Sequence, residues 1–215
     1  QSMGQGPFDA ASLTEDYELG LKVAEAGGKT AFLRVRGDDG ALVATRAYFP
    51  HRLESAIRQK SRWVCGIALQ GWDRLGWTGN LLDGWMRLRD RRGPLAALVL
   101  FTAYLLLMIS GALIVLQQLG LARAVPLTPL TETLLIANAF SLAWRAAWRC
   151  AFTAREYGMA EGIRAILRIP LSNIIAIMAG RRAVSQYVAS LHGGRVRWEK
   201  TDHHGHPSIG QRAVA

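Results

Sequence analysis

Thr14-Glu15-Asp16 and Gln59-Lys60-Ser61-Arg62-Trp63 are the two places where this 215-residue chain gathers side chains able to do chemistry. Asp16 stands at the expected entrance of a helix, where the positive end of the helix dipole keeps a carboxylate ionised and ready to take a proton. Thr14 and Glu15 precede it. In the second cluster Arg62 offers a planar fork that matches phosphate oxygens, and Gln59, one turn earlier, adds a neutral hydrogen bond to the same group. Trp63 supplies a flat face on which a sugar ring can stack. Plainer readings exist for both clusters. Acids are common in the first turn of any helix, and a Gln, Arg and Trp on one helix also describe an amphipathic surface segment.

Composition narrows the setting. Half the residues are hydrophobic and mean hydropathy is +0.11, yet 20% are charged, a mixture that points to apolar membrane segments beside strongly polar ones. The net charge of +10 suits an anionic lipid or a phosphorylated substrate. No nucleic-acid-binding motif accompanies it, so nucleic acid is not expected as a partner. Arg87, Arg89, Arg91 and Arg92 precede one apolar run, and Arg145, Arg149 and Arg155 follow another, as in cytoplasmic loops. Arg145 and Arg149 fit a lipid phosphate or topology alone. Two cysteines, Cys65 and Cys150, make no disulfide framework, and Cys65 is read as packing. His203, His204 and His206 follow Asp202 at the end of the chain without the spaced partners of a metal site.

The elements that position the two clusters are legible in outline. Ser12-Leu13-Thr14-Glu15 has the spacing of a capping box, which predicts a helix from about Leu13 with Leu19, Val23 and Ala26 on one stripe and Gly27-Gly28 at its end. Lys29 to Arg36 alternates like a strand, Gly37-Asp38-Asp39-Gly40 reads as a turn, and Ala41 to Phe49 as the returning strand. After Pro50 a helix is expected from about Arg52 to Gln70. Its apolar face holds Leu53, Ala56, Ile57, Val64, Ile67 and Ala68, and Gln59, Arg62 and Trp63 cluster at the border of that face. Trp72, Trp77 and Trp85 suit amphipathic anchors at a membrane surface. Leu95 to Leu119 carries no charge and is long enough to cross a hydrocarbon core of about 30 Å. Leu130 to Cys150 is expected to be a second span. Ile166 to Ala179, interrupted by Arg168, Pro170 and Asn173, reads as an interfacial or re-entrant helix, and the tail from Thr201 as poorly ordered.

An acid motif, then Q-x-x-R-W, then a membrane segment: in this order the chain resembles the processive glycosyltransferases of family 2, which include the cellulose, chitin and hyaluronan synthases. Thr45-Arg46-Ala47-Tyr48-Phe49-Pro50 and the run from Arg58 to Trp72 resemble the branch labelled bacteriophage adsorption protein B. The resemblance implies Asp16 as general base with Glu15 and Thr14 beside it, and Gln59, Arg62 and Trp63 at the acceptor end of the cleft near the departing diphosphate. It implies a nucleotide-sugar donor, a glycan acceptor, a lipid bilayer and an outer-membrane or periplasmic export partner. A divalent metal, Mg or Mn, is expected in the full enzyme, with ligands mainly outside this chain.

The expected fold class is therefore α/β, the C-terminal remnant of a GT-A type catalytic domain, followed by a mainly α-helical membrane region of the bacterial inner membrane. The expected division is residues 1–50 for the catalytic remnant, 51–93 for interfacial helices with the Q-x-x-R-W motif, 94–152 for two transmembrane helices, 153–200 for the interfacial region and 201–215 for the tail. A fragment of this kind is not expected to be active alone. The rival expectation is a membrane scaffold or phage-receptor component that keeps the fold without turnover.

Overall fold

The computed structural model describes residues 12–38, 40, 43, 50, 52–77, 81–123 and 126–193. Among them helix dominates and no strand forms. The α/β expectation is overturned. Lys29 to Val35 runs without regular structure, and Arg36 makes only an isolated bridge. The turn itself is present, with the Gly40 N–H donating to the Gly37 carbonyl at 2.9 Å and the Val43 N–H to Val35 at 3.0 Å. A strand, however, is stabilised by neighbours and by one buried face. Here Phe32 is 99% exposed, and Leu33 and Val35 are exposed as well, so the alternating pattern has nothing to bury against. All of the returning strand except Val43 lies outside the described residues, as do Thr45 to Phe49 of the Thr45–Pro50 run and the His203, His204 and His206 tail.

Among the described residues eight α-helices follow in order: α1 (Glu15–Glu25), α2 (Leu53–Val64), α3 (Gly71–Leu75), α4 (Leu81–Arg91), α5 (Gly93–Gln118), α6 (Pro129–Tyr157), α7 (Met159–Leu167) and α8 (Ile169–Leu191). Between α2 and α3 a π-helical stretch runs from Cys65 to Gln70. Two compact units organise the chain, Gln1–Leu98 with Ile175–Ala215, and Val99–Ile174.

The first unit contains both motifs. Its small core joins Leu13, Cys65 and Ala183, with Val64, Leu69 and Tyr187 packed around them. The capping box does not form. Helix α1 starts at Glu15, two residues later than expected, so Thr14 is the cap and has no side-chain cap bond. Ser12 instead accepts the Thr14 N–H at 3.2 Å and donates to Glu18 Oε1 at 2.8 Å. The C-terminus does follow the sequence. Gly27, at φ 81°, closes a Schellman turn in which Gly28 N–H reaches the Val23 carbonyl at 2.8 Å and Gly27 N–H the Ala24 carbonyl at 3.0 Å.

Helix α1 docks through acids, not through the predicted apolar stripe. Val23 is exposed, whereas Glu18 is only 4% exposed. Thr14, Glu18 and Glu25 recur at spacings of four and seven, one face of a helix. Glu18 accepts from Arg74 at 3.1 Å and Glu25 from Arg87 at 2.6 Å. Arg87 also donates to the carbonyls of Leu75 and Gly76 at 2.9 and 3.2 Å, and Arg91 to those of Gly71 and Gly76 at 3.3 and 2.7 Å. Two buried arginines of α4 thus satisfy the carbonyl end of the short α3, where the helix dipole is negative. Arg87 and Arg91, whose place before the apolar run suits membrane-flanking charges, also act as structural clamps. Arg91 also lies over the rings of Trp77 at 4.6 Å and Trp72 at 5.5 Å.

Gly66 allows the start of α1 to come this close, and Gly71 leaves room for the Gly66 carbonyl, which a Cβ there would meet at 2.8 Å. A Cβ on Gly66 would sit 2.6 Å from Thr14 Oγ1 and 3.1 Å from Leu13 Cβ, and one on Gly71 would lie 3.8 Å from the Tyr17 ring. The glycines are five residues apart, and a π-helix repeats at nearly that spacing. The expected uninterrupted helix from Arg52 to Gln70 therefore breaks phase at Cys65.

In the second unit α6 and α7 pack as a hairpin around the Gly158 bend at φ 89°. A Cβ on Gly162 would meet Ala154 Cβ and the Cys150 carbonyl, each at 2.9 Å. Tyr104 accepts from Asn173 at 3.2 Å.

Among the described residues α5 alone is a single helix long and apolar enough to cross a membrane, as Leu95 to Leu119 foretold. The bent pair Met159–Leu167 and Ile169–Leu191, angled at 47°, passes the same test taken together. The expected second span, Leu130 to Cys150, is helical throughout, yet its uncharged stretch from Thr133 to Trp144 is about 18 Å long. That falls short of a hydrocarbon core of about 30 Å.

The close approach at Gly66 has a measurable consequence. Gly66→Ala should destabilise the protein by about 1–3 kcal/mol, the usual cost of overpacking. Gly84→Ala, at a helix position with open space around it, should stabilise by about 0.5–1 kcal/mol. Thermal unfolding of the two variants checks the contrast, and equal shifts would refute the contact.

Candidate functional site

Residues on both sides build the site. Thr14 is buried and its Oγ1 has no hydrogen-bond partner among the described residues. It lies against Gly66, four residues beyond Arg62. The structure thereby brings the acid motif to the segment that continues Q-x-x-R-W. Glu15 and Asp16 are exposed in the first turn of α1. At about 100° per residue, Asp16 is turned roughly 200° from both Thr14 and Glu18, so it faces away from the docked stripe. Its Oδ1 accepts the Tyr17 N–H at 2.8 Å, which fixes the carboxylate at the positive end of the helix.

In α2 the side chain facing the interior is the middle one of the motif. Ser61 is buried and donates to Gln186 of α8 at 3.2 Å. Gln59 and Arg62 are half-buried and Trp63 is partly exposed. They therefore flank the packed face, as the helical periodicity required. A Cβ on Gly93 would lie 3.9 Å from Val64, so the apolar helix α5 begins beside the end of α2. Helix α8 holds the other flank of this region, with Tyr187 donating to Asp73 at 2.8 Å.

The electrostatic setting is strongly polar around α1. Tyr17 donates to Asp90 at 3.4 Å, and burial, followed by the Asp90 carboxylate, raises the phenol above its ordinary value. Burial alone pushes the Cys65 thiol up to about 11, which keeps it neutral and inert near pH 7 and agrees with the packing role. Among the described residues no three His, Cys, Asp or Glu side chains converge on a point that could hold a metal ion.

Sequence reasoning missed Glu18, Arg74, Arg87 and Arg91 as the groups that hold the acid motif in place. The available signals were the seven-residue spacing of Glu18 and Glu25 on the face of Thr14, and the five-residue spacing of Gly66 and Gly71.

Comparison with known proteins adds independent information. The model of the family described as "Glycosyl transferase family group 2" matches residues 1–116, which includes both motifs. Two curated relatives align with 31% identity over 91% of this chain and 29% of their own length: Bacteriophage adsorption protein B of Escherichia coli (strain K12) and Bacteriophage N4 adsorption protein B of Escherichia coli O157:H7. The chain thus spans less than a third of the relatives it matches. No solved structure matches it significantly. With the acid motif docked onto the Q-x-x-R-W segment and the family match running through both, the chain belongs to the glycosyltransferases of family group 2.

Proposed function

We propose that the intact protein transfers a sugar from a nucleotide-diphosphate donor to a growing glycan, with inversion at the anomeric carbon. Asp16 takes the proton of the acceptor hydroxyl as that oxygen attacks the anomeric carbon. The bond between that carbon and the diphosphate oxygen breaks, and the diphosphate leaves with the electron pair. Arg62 holds its oxygens through paired hydrogen bonds, Gln59 adds a neutral one, and Trp63 stacks the acceptor ring. Thr14 and Glu15 set the position of Asp16. The observation that carries this reading is the packing of Thr14 on Gly66, which ties the helix of the base to the helix of the phosphate clamp.

A divalent cation, Mg or Mn, belongs to the proposal as counter-charge to the diphosphate. The described residues of this chain do not fit it, and no step above runs through it. The apolar α5 and the bent α7–α8 pair support a multi-pass protein of the bacterial inner membrane, with the motifs on the cytoplasmic side. Its product is a polysaccharide handed to an export partner in the periplasm or outer membrane. The rival reading is a membrane scaffold or phage-receptor component that keeps the fold without turnover.

Two sets of variants of the intact protein separate these readings. Asp16→Asn should leave nucleotide-diphosphate affinity unchanged and lower sugar transfer by roughly two to four powers of ten, the worth of a positioned general base. Near-normal transfer would remove Asp16 from the mechanism. Arg62→Lys keeps the charge but loses the planar fork, so nucleotide-diphosphate binding should weaken. Trp63→Ala should instead raise the acceptor concentration needed for transfer while donor affinity stays nearly intact. Calorimetry and acceptor-dependent transfer read the two effects. If both variants show one profile that tracks protein yield, the segment is only a surface helix.

A further inference from the structure

Helix α6 is 29 residues long and contains no buried residue. Its first half exposes Leu134, Leu135, Ile136, Phe140 and Leu142 around the helix, a surface that water does not tolerate at this size. Its second half carries an aromatic ladder. Trp144 and Trp148 meet edge to face at 5.5 Å, and Trp148 stacks on Phe152 at 5.4 Å. The three rings are 57%, 47% and 62% exposed. One position along and one turn apart stand Arg145 and Arg149, both exposed, with no ion pair of their own among the described residues. One helix thus presents a hydrocarbon-compatible half and, beyond it, aromatic rings interleaved with a pair of guanidinium forks.

We propose that Arg145 and Arg149 form a binding site for the phosphate of an anionic phospholipid, with Trp144, Trp148 and Phe152 seated at headgroup level beside it. Two guanidinium groups one helical turn apart close on one phosphodiester through paired hydrogen bonds. The tryptophans satisfy the same depth, with apolar rings inward and N–H groups toward water. The acyl chains of that lipid continue along the apolar first half, which a free phosphate or a soluble glycan would leave bare. Charge decides the lipid class, because the acids near this end of α6 are few. Glu156 lies beside Arg155 at 4.0 Å, beyond the ladder. The site is independent of the glycosyl-transfer reading.

The test uses the intact protein in nanodiscs of phosphatidylcholine mixed with phosphatidylglycerol. Native mass spectrometry of retained lipid and quenching of tryptophan fluorescence by brominated phosphatidylglycerol are the readouts. The wild type should retain phosphatidylglycerol over phosphatidylcholine, and Arg145→Gln with Arg149→Gln should lower that preference roughly ten- to thirty-fold, the worth of two arginines at an anionic surface. Both positions are solvent-exposed, so the variant folds, and an unchanged α-helical circular dichroism spectrum verifies it. Trp148→Phe should remove part of the quenching in the wild-type background. An unchanged lipid preference in the double variant overturns the proposal. So does displacement of the retained lipid by inorganic phosphate, which would mark a free-anion site, or quenching that Trp148→Phe leaves intact.

Discussion

A carboxylate taken out of water costs several kcal/mol unless other groups meet it, and Glu18 is tolerable inside this chain because Ser12 and Arg74 do so. The other contacts of α1 are arranged around that requirement. Arg74 stands in α3, whose carbonyl end is held by Arg87 and Arg91. Arg87 in turn meets Glu25 at the far end of α1. The acid stripe of one helix and the arginines of two others thus form a closed circuit, in which removing Arg74 takes an ion-pair partner from buried Glu18 and removing Glu25 takes one from buried Arg87. Glycine at position 66 is the steric half of the same arrangement, since a side chain there would push Thr14 and the start of α1 away from the π-helical stretch.

This circuit explains how the proposed base and the proposed phosphate clamp, far apart in sequence, are held in one unit. Thr14 is pressed into the segment that follows Arg62, Ser61 is tied to α8, and Asp16 is left on the outward face of α1. Catalytic side chains need to be fixed by neighbours that do not themselves react. Here buried Thr14, Glu18 and Ser61 do the fixing, while Asp16 and Trp63 remain accessible.

Much of this was legible in the residues, and the exceptions have physical causes. The two motifs and the uncharged run of α5 stand out because residue type and length alone decide them. The Schellman turn after α1 was readable because glycine at that place has one job. The strands fail because alternation reports a face to be buried and cannot tell whether a partner sheet exists; among the described residues Phe32 and Leu33 have none. The phase break at Cys65 was invisible to a uniform helical period, although Gly66 and Gly71 signal it. The clamping role of Arg87 and Arg91 is not visible in the residues because most of their partners are main-chain carbonyls, which sequence does not show. The second span was overextended because Arg145 and Arg149 shorten the apolar part of α6 below a hydrocarbon thickness.

Helix α1 is fastened beside the segment that continues Q-x-x-R-W through the Glu18–Arg74 pair, whose carboxylate is buried and whose guanidinium is partly exposed. A double-mutant cycle with Glu18→Gln, Arg74→Gln and the pair together, read as unfolding free energies of the intact protein in detergent, measures that link. The account predicts a coupling of about 1–3 kcal/mol, as for contacting charged partners in a buried network. Losses that add within about 0.3–0.5 kcal/mol would contradict it, since residues without a shared contact behave that way.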